Sequence, residues 1–229
     1  NKLTNGKEIR KVGFIDRIKE RAKQKKMTIV LPETKDRRTV IAAHKVLEED
    51  IADIILIGNK AEIMNTAEGL NLSKATFVDP HQCEKLEEYA QLLAELRKGK
   101  GMTVDEAREI LLTNPLFMGC IMVKAGDADG MVAGAVHSSA DVLRAALQTL
   151  KTAPHIKLVS AFFLVVVPNC DMGANGAFIF ADAGLNQTPN AEEIAYIAES
   201  SAQSFKLLVE EEPIVAMLSH STKGSAKHP

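Results

Sequence analysis

Runs of isoleucine, valine and leucine alternate along the chain with segments whose apolar residues recur at helical spacing, a pattern that predicts strands separated by helices. Residues 27–31 and 53–57 are compact apolar runs and predict strands. Residues 36–49 between them have helical spacing, so the three segments form a βαβ unit. The pattern continues with a helix over 60–67, a strand over 75–78 and a long helix over 83–98. Thr103 and Glu106 have the spacing of a capping box and start a helix reaching residue 112, and Asn114-Pro115 breaks it before a further helix to residue 125. A strand over 130–133, a turn at 137–139 and a helix over 141–150 close this series.

Proline disfavours helix in the residue before it and has no N–H to donate, so Pro154 ends the helix and marks a domain boundary. Residues 1–153 form the first α/β domain and residues 154–229 the second. In the second, strands are expected over 160–167 and 177–181, a helix over 190–208 and a buried strand over 214–218. The α/β pattern calls for a helix and more strands after such a strand, whereas residues 219–229 are polar, so the expectation is that the second domain ends early.

Composition narrows the function. With 229 residues, 46% of them hydrophobic, the chain can bury substantial cores. A formal charge of -2, with no basic block or aromatic-basic stripe, argues against a nucleic-acid partner. Cys83, Cys120 and Cys170 lie far apart, so neither a disulfide framework nor a zinc site is indicated, and no metal ligand set is assigned. Residues 1–26 are charged and helical in pattern, without the apolar core of a signal peptide, and the longest apolar run, 161–167, is too short to span a bilayer. The expectation is a cytoplasmic protein with no membrane segment.

Three stretches have the residue types to bind an anion. The first runs from Asp129 to Arg144, where a glycine-containing strand end leads through Gly134, His137, Ser138 and Ser139 into a helix bearing Asp141 and Arg144. Gly134 lets backbone approach a ligand closely, and a serine-capped helix start offers free N–H groups to phosphate. Arg144 is one helical turn beyond Asp141 and could clamp the same anion. An ordinary capped helix with an exposed Asp-Arg pair accounts for the spacing equally. The second stretch is Arg97-Lys98-Gly99-Lys100-Gly101, either a phosphate loop or a basic helix C-cap. The third contains Ser219, Ser221 and Lys223 after a strand, either a ligand loop or a frayed tail. Asn169 to Gly176 reads as a polar hairpin loop with no chemical role. There is no Walker A loop and no G-x-G-x-x-G fingerprint, which argues against a nicotinamide oxidoreductase.

Three blocks together resemble the phosphate acetyl/butyryl transferase family. They are Ile29-Val30-Leu31-Pro32-Glu33 with Arg37, the block from Gly130 to Arg144 continuing to Lys151-Thr152-Ala153-Pro154, and Ala216-Met217-Leu218-Ser219 through Ser221-Thr222-Lys223-Gly224-Ser225. The last two are similar to the acetyl-transferring members in particular. Mild departures are Ser139, where many relatives have Thr, and Ala145, where many have Pro.

The resemblance implies two α/β domains, a three-layer sandwich with mostly parallel sheets, isocitrate dehydrogenase-like, with the active site in the cleft between them. Because the family's first domain is completed by residues that return after the second, it also implies that both domains are incomplete on the C-terminal side here. It implies reversible acetyl transfer between coenzyme A and inorganic phosphate, with coenzyme A as substrate and no cofactor. Arg97 and Arg144 would be catalytic, and Gly134, His137, Ser138, Ser139, Asp141, Ser219, Ser221 and Lys223 would bind substrate. A homodimer is implied as well. The family's Ser-Arg-Gly stretch and its following Asp, the proposed base, have no matching positions, so the chain by itself is expected to have little activity. A butyryl-transferring enzyme, or a non-catalytic homologous domain such as those fused to some malic enzymes, would share the fold.

Overall fold

A computed structural model describes residues 13–154, 156–219 and 221–226 of the chain. The helical pattern expected over residues 1–26 yields α1 (Phe14–Gln24); residues 1–12, and His220 in the third candidate stretch, lie outside the described residues. The chain separates into two compact units, one ending at Thr152 and one beginning at Ala153.

In the first unit, β1 (Thr28–Leu31), β2 (Asp53–Ile57), β3 (Thr76–Val78) and β4 (Gly130–Met131) form a parallel sheet in the order β3-β2-β1-β4. Ile29 pairs with Ile54 on one side and Gly130 on the other. Successive strand residues point to opposite faces, and both faces are buried. Val30, Ile55 and Ile57 pack under α4 (Leu86–Arg97), α5 (Val104–Thr113), α6 (Pro115–Ala125) and α7 (Ser139–Thr149). Leu31, Ile54 and Leu56 pack under α2 (Arg37–Glu48) and α3 (Lys60–Thr66). This is a three-layer α/β/α arrangement, and it explains why the strands read as continuous apolar runs.

The helix ends follow their sequence signals. Asp36 caps α2 through the N–H of Arg38, and Thr103 and Glu106 form a reciprocal capping box at α5. Asn114 caps α6 through the N–H groups of Leu116 and Phe117, with Pro115 at the first helical position, where a missing N–H does no harm. In α6 the seven residues from Leu116 to Met122 are all buried. Gly119 brings this helix against Val30 and Met131, so a Cβ there would press into the Met131 sulfur. Burying each large apolar side chain of this helix contributes roughly 1.5–3 kcal/mol.

The second unit has β5 (Phe162–Val166) and β6 (Ala177–Ala181), joined as an antiparallel hairpin, with α8 (Ala191–Val209) packed on β6. The polar hairpin loop expected over Asn169 to Gly176 joins these strands, and a short connection can only return the chain antiparallel. The loop closes at Gly176, at φ +88°, where any Cβ would run into the Val167 carbonyl oxygen. One expectation for this unit is corrected, that of a buried strand over residues 214–218. They form no strand, and Ile214 and Leu218 are 98% and 92% exposed rather than buried. Apolar composition does not make a strand without a neighbouring strand to bond, and residues 214–218 pair with none among the described residues. No helix among the described residues is long and apolar enough to cross a membrane.

Candidate functional site

Strand order turns back between β1 and β4: β2 and β3 extend from one side of β1, and β4 lies on the other. Open α/β sheets place ligands at such a switch point, outside the carboxyl ends of the strands. Two loops emerge there, one carrying Pro32 to Asp36 after β1 and one carrying Val132 to Ser138 after β4.

A buried carboxylate joins the two loops. Glu33 is 4% exposed, and its two oxygens accept the backbone N–H groups of Gly134 (2.8 Å), Ala135 (2.7 Å), Val136 (3.0 Å) and His137 (2.9 Å). Consecutive N–H groups aimed at one point form an anion-binding nest, and Gly134, at φ +109°, supplies the backbone turn that aims them. His137 adds its Nδ1 at 2.8 Å from Oε1. Burial pushes the Glu33 carboxyl up, but hydrogen bonds from the backbone of His137, Val136 and Ala135 and from the His137 ring outweigh it and hold the group at about 2. The carboxylate is therefore ionised and can only accept, which makes Nδ1 the ring nitrogen that carries hydrogen.

A second tie reinforces the first. Arg38 grips Asp36 at 2.7 Å and donates to the Ala135 carbonyl at 2.7 Å. Thr34 donates its hydroxyl to the Ile57 carbonyl at 2.6 Å, anchoring the β1 loop to the end of β2.

Ser138 follows the nest and caps α7, accepting the N–H of Asp141 at 3.2 Å while donating its hydroxyl to the Asp141 carboxylate at 2.6 Å. Arg144 pairs with the other Asp141 oxygen at 2.9 Å, and both side chains are partly exposed. The Ser138 hydrogen bond, with help from Arg144, holds the Asp141 carboxyl below its usual range. The N–H groups of Ser139 and Ala140, in the first turn of α7, have no acceptor among the described residues. Arg144 keeps donors beyond the one given to Asp141, since a guanidinium has five. Chemically, this corner can bind a compact anion through helix-end N–H groups, hydroxyls and a guanidinium.

Gly134, His137, Ser138, Ser139, Asp141 and Arg144 thus lie together, with the backbone donors of Gly134 and His137 already taken by Glu33. Arg97 is not bonded to this cluster. It ends α4, a helix that contacts α7, and its Nε is buried without a partner among the described residues. The following Lys98–Lys100 segment is a tight turn closed by Gly101. Ser219, Ser221 and Lys223 belong to the second unit, where the Ser219 hydroxyl donates to the Ser221 carbonyl at 2.8 Å and Lys223 sits in an exposed turn. They do not follow a buried strand.

Residue-type reasoning missed Glu33, Asp36 and Arg38 as parts of the site. Glu33 had one legible signal, its place directly after an apolar strand in Leu-Pro-Glu, but its partners lie 101 to 104 residues away. A cavity of about 630 Å³ opens elsewhere in the first unit near Asn59, Lys60, Asp79, Lys85, Tyr89 and Asp127. It contains none of the site residues, and the switch point carries more weight because the anion-binding groups converge there. Among the described residues no group of three His, Cys, Asp or Glu side chains is placed to hold a metal ion.

Known proteins resemble the chain closely. It is 54% identical over 95% of its length to a phosphate acetyltransferase of Thermoanaerobacterium thermosaccharolyticum, and 52% identical over 94% to one of Acetivibrio thermocellus. The chain spans 66% and 65% of the length of those relatives. Its structure is similar to a phosphotransacetylase of Streptococcus pyogenes, with a TM-score of 0.83 and 36% identity over 94% of this chain and 64% of that one. A phosphotransacetylase of Staphylococcus aureus gives a TM-score of 0.80, also at 36% identity. The sequence model of the phosphate acetyl/butaryl transferase family matches residues 13–229, and the chain belongs to that family.

Proposed function

We propose that the protein carrying this chain is a phosphate acetyltransferase, moving an acetyl group reversibly between coenzyme A and inorganic phosphate. The observation that carries this reading is the 54% identity to a phosphate acetyltransferase along 95% of the chain. The anion-binding corner at the switch point supports it, because phosphate and acetyl phosphate are compact anions.

The coenzyme A thiolate attacks the acetyl phosphate carbonyl, and the S–C bond forms as the carbonyl oxygen takes negative charge. The tetrahedral species collapses, the C–O bond to phosphate breaks, and phosphate leaves with the electron pair. The thiol proton goes to a base or to solvent. Cationic donors lower the barrier by stabilising the oxyanion and the departing phosphate. Arg144 takes that role one turn into α7, with Arg97 as the second cation. Ser138, Ser139 and His137 orient the phosphoryl group, Asp141 holds Arg144, and Ser219, Ser221 and Lys223 are further substrate-binding residues. The chemistry needs no resident cofactor, and coenzyme A is a substrate. A homodimer in the cytoplasm completes the reading.

The test is an assay of the full-length gene product with coenzyme A and either acetyl or butyryl phosphate. Thioester formation from acetyl phosphate with the higher kcat/KM is expected. A preference for butyryl phosphate moves the protein to the other activity of its family, and no turnover of either rejects the reading.

A further inference from the structure

Glu33 occupies a position with the geometry of an anion site. The nest at Gly134 to His137 has the geometry to hold a phosphate oxygen, yet it is filled from inside by a carboxylate of the same chain. The carboxylate stands on the loop after β1, which is fixed independently by the Thr34 bond to Ile57 and by the cap of α2. Arg38 holds the outer side of the turn through the Ala135 carbonyl. The turn is therefore clamped on both sides, with its N–H groups facing inward.

Ser138 follows the last clamped residue and begins α7. The direction of that helix, and with it the placing of the Ser139 and Ala140 N–H groups and of Arg144, is set by the turn. An incoming phosphate finds the nest closed and negatively charged, and the first turn of α7 open and positive. We propose that Glu33 is a positioning residue: by filling the nest it directs the phosphate group to the first turn of α7 and Arg144, and it fixes where those donors stand. The inference rests on the acetyl-transfer reading for its substrate, and it adds a residue that works through the turn without touching the reacting atoms.

Glu33→Gln keeps the side-chain volume but turns an amide donor toward N–H donors. Steady-state kinetics on the full-length gene product, run toward acetyl phosphate, should show the KM for phosphate rising about tenfold, as expected for losing hydrogen bonds to a charged acceptor. The KM for acetyl-CoA should stay within about twofold. A merely structural role would lower the active fraction and so kcat, or raise both KM values together; either result, or an unchanged KM for phosphate, overturns the proposal. If Glu33→Gln does not fold, Gly134→Ala serves instead, since a Cβ there meets open space and strains only the φ of +109° that aims the nest. It should give the same selective rise. Wild-type protein that makes no acetyl phosphate overturns the acetyl-transfer reading; calorimetric affinity for inorganic phosphate, compared between wild type and variant, then decides the positioning role alone, with equal affinities counting against it.

Discussion

The Nδ1 of His137 lies 2.8 Å from Oε1 of Glu33 across 104 residues of sequence, and the same carboxylate oxygen accepts the His137 backbone N–H at 2.9 Å. One acid thereby fixes both the main chain and the ring of a residue at the mouth of the site.

That relationship sets an acid limit on stability. The folded Glu33 carboxyl titrates at about 2, against an ordinary 4.5. A depressed carboxyl gives stability that is complete above the unfolded value and lost as pH falls from about 4.5 toward 2, here about 3 kcal/mol. Chemical denaturation between pH 6 and 2.5 should show this loss in the wild type. Glu33→Gln should be less stable at pH 6 and should lose less on acidification; parallel curves for the two proteins would contradict the assignment.

Arg144→Ala in the full-length protein should lower kcat/KM by roughly 100-fold or more, as removal of a transition-state donor does. Its only bond among the described residues is a partly exposed pair with Asp141, so the melting temperature should hardly move. Turnover and thermal melts measured on one preparation separate the two effects.

Ser138→Ala removes the cap of α7 and should cost about 1 kcal/mol in urea unfolding. It also frees the Asp141 oxygen that Ser138 holds. A rise in the KM for phosphate should accompany the stability loss, because Asp141 can then draw Arg144 away from the anion.

Tyr89 donates its hydroxyl to Asp127 at 2.7 Å, beside the Lys85–Asp127 ion pair. Burial and the neighbouring acid push the phenol well above its ordinary range, so it stays a donor at any working pH. Tyr89→Phe should destabilise by about 1–2 kcal/mol and leave kinetic constants unchanged, since this tie lies away from the anion corner. A change in KM would put the Tyr89 region into the site.

Cys120 is fully buried in α6, and burial raises its thiol to about 11. At pH 8 roughly one molecule in a thousand carries the thiolate, and that group is shielded. Iodoacetamide should leave Cys120 unlabelled in the native protein and label it after denaturation, as read by peptide mass spectrometry.

Elements whose signals are local were legible. The strand at 53–57 and the helix starting after Thr103 occur as their residues foretell, because a compact apolar run and a capping box act within a few positions. Residues 214–218 failed for the opposite reason: their apolar character is local, but strand formation depends on a neighbour. At the site, a serine cap at Ser138 or Ser139 and the pairing of Asp141 with Arg144 were readable from local spacing, and the structure puts the cap at Ser138. Glu33 was legible only as part of the resemblance, since nothing in Leu-Pro-Glu specifies which N–H groups it will meet.

Sequence alone determined the alternation of strands and helices in the first unit, the helix ends and the family resemblance, all of which depend on neighbours along the chain. Tertiary structure decided that the loops after β1 and β4 meet at the switch point, and that the nest at Gly134–His137 is filled by Glu33. Strand order brings those loops together, and a buried charge persists only where enough donors converge to replace water.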